Sequence, residues 1–403
     1  MLKVLHFADV HARDADIDEI KKCLDFIVEQ AKAEKPDLIV HAGDTFHSRD
    51  VKLDSPAAKL VVDVFSRLAD IAPVAAVVGT PSHDGLAAEI LPYLRSTYQI
   101  YLATRPEQIG LLHPLDGGFT TCTFDETESP LATISFLPPP TKEHFVRGSG
   151  SSIAQSDQDI STALSGVLSG FGAMAGAHKC PHILIGHVTV KGAVTSTGQQ
   201  MTGREIEISR EQLALANADL VCLGHIHKAQ EFYSGSIYRE NWGETEDKGF
   251  YIHEIEGGKV ATRFIKTPTR KLHQVKFDLT DPDADLRDLD MILYQLSPED
   301  INDASIRVEL RVYQDEAAAL DRGAIERFYL DGDARAREVD VRIVRVPRET
   351  VRSTNILKLQ ALRDKVMELA ATRGEMVPDR ILAKADMLEM RPTDEIMEAI
   401  ASA

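Results

Sequence analysis

Five short clusters of carboxylate and imidazole residues fall in order before residue 228, and each follows an apolar run: Asp9-Val10-His11, Gly43-Asp44, Ser82-His83-Asp84, Gly186-His187 and Gly224-His225-Ile226-His227. An apolar run that reads as a buried strand, closed by turn residues, hands its next side chains to one rim of a sheet. A chain that does this five times gathers acidic and imidazole groups at a single edge, which is the layout of a hydrolytic site for two metal ions. Oxygen and imidazole donors suit manganese, zinc or iron, and the clusters contain no cysteine, which argues against a closed structural zinc site. Asp44 is the natural bridging carboxylate, because it ends a buried strand and Gly43 lets the backbone approach closely. The chemistry indicated is phosphoester hydrolysis, in which attacking, leaving and non-bridging oxygens all need charge compensation; two cations roughly 3.5–4 Å apart supply it and activate a water.

The chain has 403 residues, more than one hydrophobic core usually supports, so two or three domains are expected. Its opening residues go straight into a strand with no signal-peptide pattern, and it carries no apolar run of about 18 residues, so a cytoplasmic protein with no membrane span is expected. Cys23, Cys122, Cys180 and Cys222 show no paired spacing and read as reduced, mostly buried thiols. The net charge of −18 counts against tight, autonomous DNA binding, since phosphate backbones are held by surplus lysine and arginine. It is a weak veto, because acidic residues that face bound cations contribute to that figure.

Strand and helix patterns alternate over the first third: strand 3–8, helix 17–35, strand 37–41, helix 56–69, strand 74–78. Three prolines at 138–140 lead to a Gly/Ser-rich stretch at 147–156, a small-residue helix to residue 177, and a strand at 182–185. Segments 231–237, 249–255 and 260–265 read as antiparallel strands closing a second sheet. After a linker at 267–270 come strand 272–277, helix 285–295, strand 305–313, helix 316–330 and strand 338–345. A helical tail follows from residue 350, with Ile356, Leu359, Leu362, Val366 and Leu369 at helical spacing. The domains expected are 1–266, 271–347 and 350–403.

The ordered clusters resemble the calcineurin-like metallophosphoesterases, with D-x-H, G-D, a counterpart of G-N-H-D, G-H and G-H-x-H in that family's order. The resemblance implies a four-layer α/β/β/α sandwich and two divalent metals, manganese first. Asp9, His11, Asp44 and His227 would hold one; Asp44, His187 and His225 would hold the other. His83 would be the catalytic histidine and not a ligand, with Asp84 orienting its ring through the other nitrogen. Where the family has an asparagine ligand this chain has Gly79-Thr80-Pro81-Ser82 before His83, so Ser82 is expected in its place, coordinating directly, acting through a water, or leaving that metal loosely held.

A narrower likeness is to the SbcD-type nuclease subunits. Gly43-Asp44-Thr45-Phe46-His47 is similar to their G-D-L-F-H, and Tyr233-Ser234-Gly235-Ser236, Trp242-Gly243-Glu244 and Lys248-Gly249-Phe250 resemble their Y-x-G-S, F-G-E and K-G-F segments. This implies a metal-dependent DNA exonuclease or endonuclease of repair and recombination, with His47 helping to position the strand. It also implies a small α+β capping domain that touches DNA, C-terminal helices that bind an SMC-like coiled-coil ATPase of the SbcC type, and a homodimer. Two other functions fit the residues: a phosphodiesterase or phosphatase for a small molecule, and a DNA-end scaffold whose hydrolysis is weakened by the change at Ser82.

Overall fold

The computed structural model describes residues 1–113, 118–121, 130–140, 153–197, 199, 206–280, 296–333, 335–348, 356–392 and 395–396. The chain divides into two compact units: residues 1–276, 289–309 and 322–342, and residues 277–288, 310–321 and 343–403. The expected helix 285–295, residues 147–152 of the Gly/Ser-rich stretch, and Cys122 lie outside the described residues.

In the first unit, β1 (Leu2–Phe7), β2 (Leu38–His41), β3 (Val74–Val77) and β4 (Ile100–Ala103) run parallel. Then follow β5 (Glu107–Leu111), β6 (Phe119–Thr121), β7 (Ala132–Leu137), β8 (His182–His187), the short pair β9 (Thr189–Val190) and β10 (Glu207–Ile208), and β11 (Leu220–Gly224). These build a second sheet in the order β11-β8-β7-β5-β6, with β11, β8 and β7 parallel.

The strands β12 (Gly249–Glu256) and β13 (Lys259–Lys266) correct one expectation. They are antiparallel, but they extend the first sheet, in the order β13-β12-β1-β2-β3-β4, and do not close the second. The reason lies in β1, whose free edge takes up β12 with Val4 opposite His253 and His6 opposite Tyr251. Residues 231–237 do not form a strand either. They make isolated bridges, Ser236 to Ala8 and Tyr233 to Leu223 and Gln230, and the positive φ of Phe232 and Gly235 keeps the segment from running as a ladder.

Strand alternation sorts the apolar residues into separate cores. On β1, Leu5 and Phe7 face helices α1 (Ile17–Glu34) and α2 (Pro56–Ala69), whereas Val4 and Ala8 pack between the two sheets with Ile134, Phe136, Ile183 and Ile185. The outer face of the second sheet is covered by α3 (Ile153–Ala175) and α4 (Arg210–Ala214), through Leu164, Leu168 and Leu213. In α1 the residues Ile20, Leu24, Ile27, Val28 and Ala31 fall on one stripe, and Lys35 ends the helix in the left-handed region at φ 52°. Ser55 caps α2 by accepting from the Ala58 amide at 3.1 Å, with Pro56 as the first helical residue.

Beyond residue 270, β14 (Lys271–Asp278), β15 (Ala304–Tyr313) and β16 (Glu338–Val346) form a three-stranded sheet with β15 central. Helix α5 (Pro298–Ile301) precedes β15, and α6 (Arg322–Asp331) starts later than expected because Leu320 is extended at φ −78°, ψ 121°. In the second unit, α7 (Leu362–Arg373) and α8 (Asp379–Met390) pair through buried Ala370 and Ala385 and an Arg363–Asp386 ion pair at 2.5 Å. Of the apolar stripe, Leu362 and Leu369 are exposed, and Ile356, Leu359 and Val366 are half-buried. Among the described residues no helix is long and apolar enough to cross a membrane.

Candidate metal centre

The C-terminal ends of β1, β2, β3, β8 and β11 meet at one rim, where open α/β sheets place their sites. The backbone there continues the sheet beyond its formal strands. The Asp9 amide donates to the Gly43 carbonyl, the His11 amide to Asp44, the Ala12 amide to Thr45 and the His47 amide to Ala12, all between 2.9 and 3.1 Å. Asp9, His11, Asp44 and His225 all adopt positive φ, at 53°, 43°, 53° and 93°. Left-handed non-glycine residues store strain, and such strain gathers at functional sites. Two glycines permit the close approach: a Cβ on Gly79 would lie 2.1 Å from the Asp44 amide nitrogen, and one on Gly43, itself at φ 90°, would lie 2.5 Å from the His187 ring.

Two triads result, Asp9/His11/His227 and Asp44/His187/His225, each with donor atoms within 4.8 Å of one another. Asp44 reaches both, since its Oδ2 lies 3.2 Å from His187 Nε2 and 3.7 Å from His11 Nε2. His11 and His227 face each other Nε2 to Nε2 at 3.0 Å. His187 donates Nδ1–H to the Ala42 carbonyl at 2.7 Å, which leaves Nε2 as the ligating nitrogen, and Asp9 Oδ1 accepts from the His225 amide at 2.8 Å. Fully buried Asp9 Oδ2 has no hydrogen-bond partner among the described residues. An unpaired carboxylate oxygen beside inward-turned imidazole nitrogens fits a pair of divalent cations.

Electrostatics describe the same need. Burial works to raise the Asp44 pKa, but the nearby imidazoles, His187 first, hold it well below the usual carboxylate range. Burial likewise works to lower His187, yet Asp44 carries it up to about 9. Burial takes His11 down to about 3 and raises Asp9.

Two expectations are corrected. Ser82 is exposed, and the hydroxyl turned toward the second triad belongs to Thr80, with Oγ1 3.2 Å from His187 Nε2, 3.4 Å from His225 Nδ1 and 3.4 Å from Asp44 Oδ2. The physical reason is a turn in which the His83 and Asp84 amides donate to the Thr80 carbonyl, so Pro81 and Ser82 loop outward. Counting back from His83 therefore lands two residues too late.

Asp84 does not orient His83, whose Nδ1–H donates instead to the His47 carbonyl at 2.7 Å. The Asp84 carboxylate accepts from the backbone amides of Thr45, Phe46 and Gly79 at 2.9, 3.1 and 2.8 Å, tying the β2 and β3 loops together. Burial, and then the Asp44 charge, raise its pKa to about 6.

His83 stands at the first triad, ring centroid 4.7 Å from that of His11. His47 Nδ1 lies 2.9 Å from Glu240 Oε1, and Glu240 also pairs with Arg13 at 3.0 Å and lies 3.7 Å from His227 Nδ1. Glu244 and Lys248, both fully buried, pair at 2.9 Å, and Lys248 also donates to the His227 carbonyl at 2.9 Å. None of Arg13, Glu240 or Lys248 is marked as a site residue by spacing. The signal available was charge within a segment that otherwise ends up buried, and Glu240 sits in a polar run that reads as a solvated turn.

The site and its sheets define a two-metal phosphoesterase. Residues 2–229 match the calcineurin-like phosphoesterase family, and the chain belongs to that family. It is 27% identical over 295 residues to the SbcD subunit of the nuclease SbcCD from Staphylococcus saprophyticus, covering 68% of this chain and 71% of that one. To the corresponding subunit of the nuclease SbcCD from Staphylococcus epidermidis it is 25% identical over 300 residues, covering 70% and 74%. Among solved structures, a dimetal phosphatase from Danio rerio is similar with a TM-score of 0.37 and 12% identity, over 66% of this chain and 96% of that one.

Proposed function

We propose that this chain is a metal-dependent DNA nuclease subunit, an exonuclease or endonuclease of repair or recombination that works in the cytoplasm with an SMC-like coiled-coil ATPase. The observation that carries the hydrolytic part is the placement of Asp44 within reach of both histidine triads. The nuclease part and the partner follow from the relatives, which are named as subunits of a nuclease. When bound, two divalent cations, manganese in this reading, compensate charge on the phosphoryl oxygens and lower the pKa of water.

The side chains have separate roles. Asp9, His11, Asp44 and His227 hold one cation; Asp44, His187 and His225, with the Thr80 hydroxyl, hold the other. His83, its Nδ1 proton committed to a backbone carbonyl, keeps Nε2 for proton delivery to the departing sugar oxygen. His47, held by Glu240, positions the strand. Residues 271–347 serve as a DNA-contacting cap and 350–403 as the surface for the ATPase.

The test is the purified full chain with manganese on single-stranded DNA, double-stranded DNA and an aryl phosphodiester. Cleavage of all three is the expected result. Cleavage of the aryl ester alone would make this a small-molecule phosphodiesterase, and cleavage of none would leave a scaffold.

A further inference from the structure

A third group of metal-binding side chains lies away from this centre, between the two sheets. By alternation His6 shares the face of Val4 and Ala8, which packs between the sheets, and His253 sits directly opposite Val4 in the β1–β12 register. Cys222, on β11, enters the same core from the second sheet. One donor atom from each of His6, Cys222 and His253 lies within 4.8 Å of the others, and all three residues are buried. We propose that His6, Cys222 and His253 form a mononuclear zinc site that links the two sheets, separate from the phosphoesterase centre.

Three observations carry this. First, His253 Nε2 and His6 Nδ1 are 3.4 Å apart with stacked rings, and zinc bond lengths place tetrahedral donors roughly 3.3–3.6 Å apart. The other His253 nitrogen, Nδ1, meets the Thr262 hydroxyl at 2.9 Å, the kind of outer contact that fixes a ligating ring. Second, the remaining His6 nitrogen, Nε2, is buried with no well-formed hydrogen bond among the described residues, so no strong bond competes for the ring when Nδ1 takes the metal. Third, a cavity of about 350 Å³ lined by Leu220, Gln230, Tyr251, His253 and Thr262 borders the cluster at His253.

The donor set also separates this site from the first. A thiolate with two imidazoles selects a softer ion than the carboxylate-and-imidazole centre does. Both rings are neutral at pH 7, as ligation requires, since burial takes His6 well below its ordinary value and His253 down to about 4. Burial raises the Cys222 thiol, so metal entry has to expel its proton: one S–H bond breaks, one Zn–S bond forms, and one proton passes to solvent. The ion would brace β1 and β11 just before they deliver Asp9 and His225.

Cobalt serves as the spectroscopic probe, titrated into the chelator-stripped full chain. The phosphoesterase centre holds no thiol, so a near-ultraviolet thiolate-to-cobalt charge-transfer band that zinc bleaches separates a cysteine site from it, and loss of the band in Cys222→Ala separates Cys222 from Cys23, Cys122 and Cys180. Wild type should show the band and bind three equivalents of metal. Cys222→Ala and, as a second variant, His253→Gln should each lose the band and one equivalent while keeping manganese-dependent hydrolysis of an aryl phosphodiester. A band that survives in both variants would overturn the proposal, and so would the absence of a band in wild type, which decides the matter whether or not either variant folds.

Discussion

His83 donates its Nδ1 proton to the backbone carbonyl of His47 at 2.7 Å, so the tautomer of one histidine is set by the main chain of another. That bond leaves Nε2 available at the metal rim without making the ring a ligand. His83→Ala should therefore cut kcat by about 10²–10⁴-fold, the range for a lost general acid, with metal content unchanged. Steady-state kinetics beside elemental analysis check it; a lost metal equivalent would make His83 a ligand after all.

The exchange of Ser82 for Thr80 at the second triad gives a paired test. Thr80→Ala should weaken manganese binding by about 10–100-fold, the scale of losing a group that supports metal ligands. Ser82→Ala, at an exposed position, should stay within about 0.5 kcal/mol of wild-type stability and bind manganese normally. Calorimetric titration of both variants decides between them, and the reverse pattern would restore Ser82 as the ligand.

Lys248 and Glu244 form an ion pair with no solvent exposure on either side chain. Lys248→Met leaves Glu244 charged and buried, which should cost about 3–5 kcal/mol. The double variant Lys248→Met/Glu244→Gln removes the stranded charge and should recover much of that loss. Denaturant unfolding of the two variants measures the difference; equal stability would mean the pair is solvated.

Chelation should destabilise the fold, because Asp9 and Asp44 are then left buried without their cations. Restoring manganese to about 100 times its Kd should return about 2.7 kcal/mol per site, read as a concentration-dependent rise in Tm. A Tm indifferent to manganese would count against the centre as drawn.

Much of the site was legible because its candidate ligands stand where buried strands end, and apolar runs broken by glycine mark such ends plainly. Asp9, His11, Asp44, His187, His225 and His227 were found that way, and the structure brings them together. What the sequence hid was the path of the chain between marks. The outward loop at Pro81 and Ser82 leaves the Thr80 hydroxyl facing the second triad, and nothing in the order of residues says which hydroxyl turns inward. The pairing of β12 with β1 was equally hidden, since an antiparallel hairpin carries no label for the sheet it joins. Glu240 was missed because its importance comes from His47 and Arg13, which are remote in sequence.

The hydrogen bonds from Asp9 to Gly43 and from His11 to Asp44 make the ligand loops an outgrowth of the central ladder and not a flap resting on it. Such backbone opens only when the middle of the sheet frays, which places the ligands among the last segments to exchange amide protons. Cations bound here would meet a rim whose backbone the sheet already holds, so the side chains are the parts left to adjust.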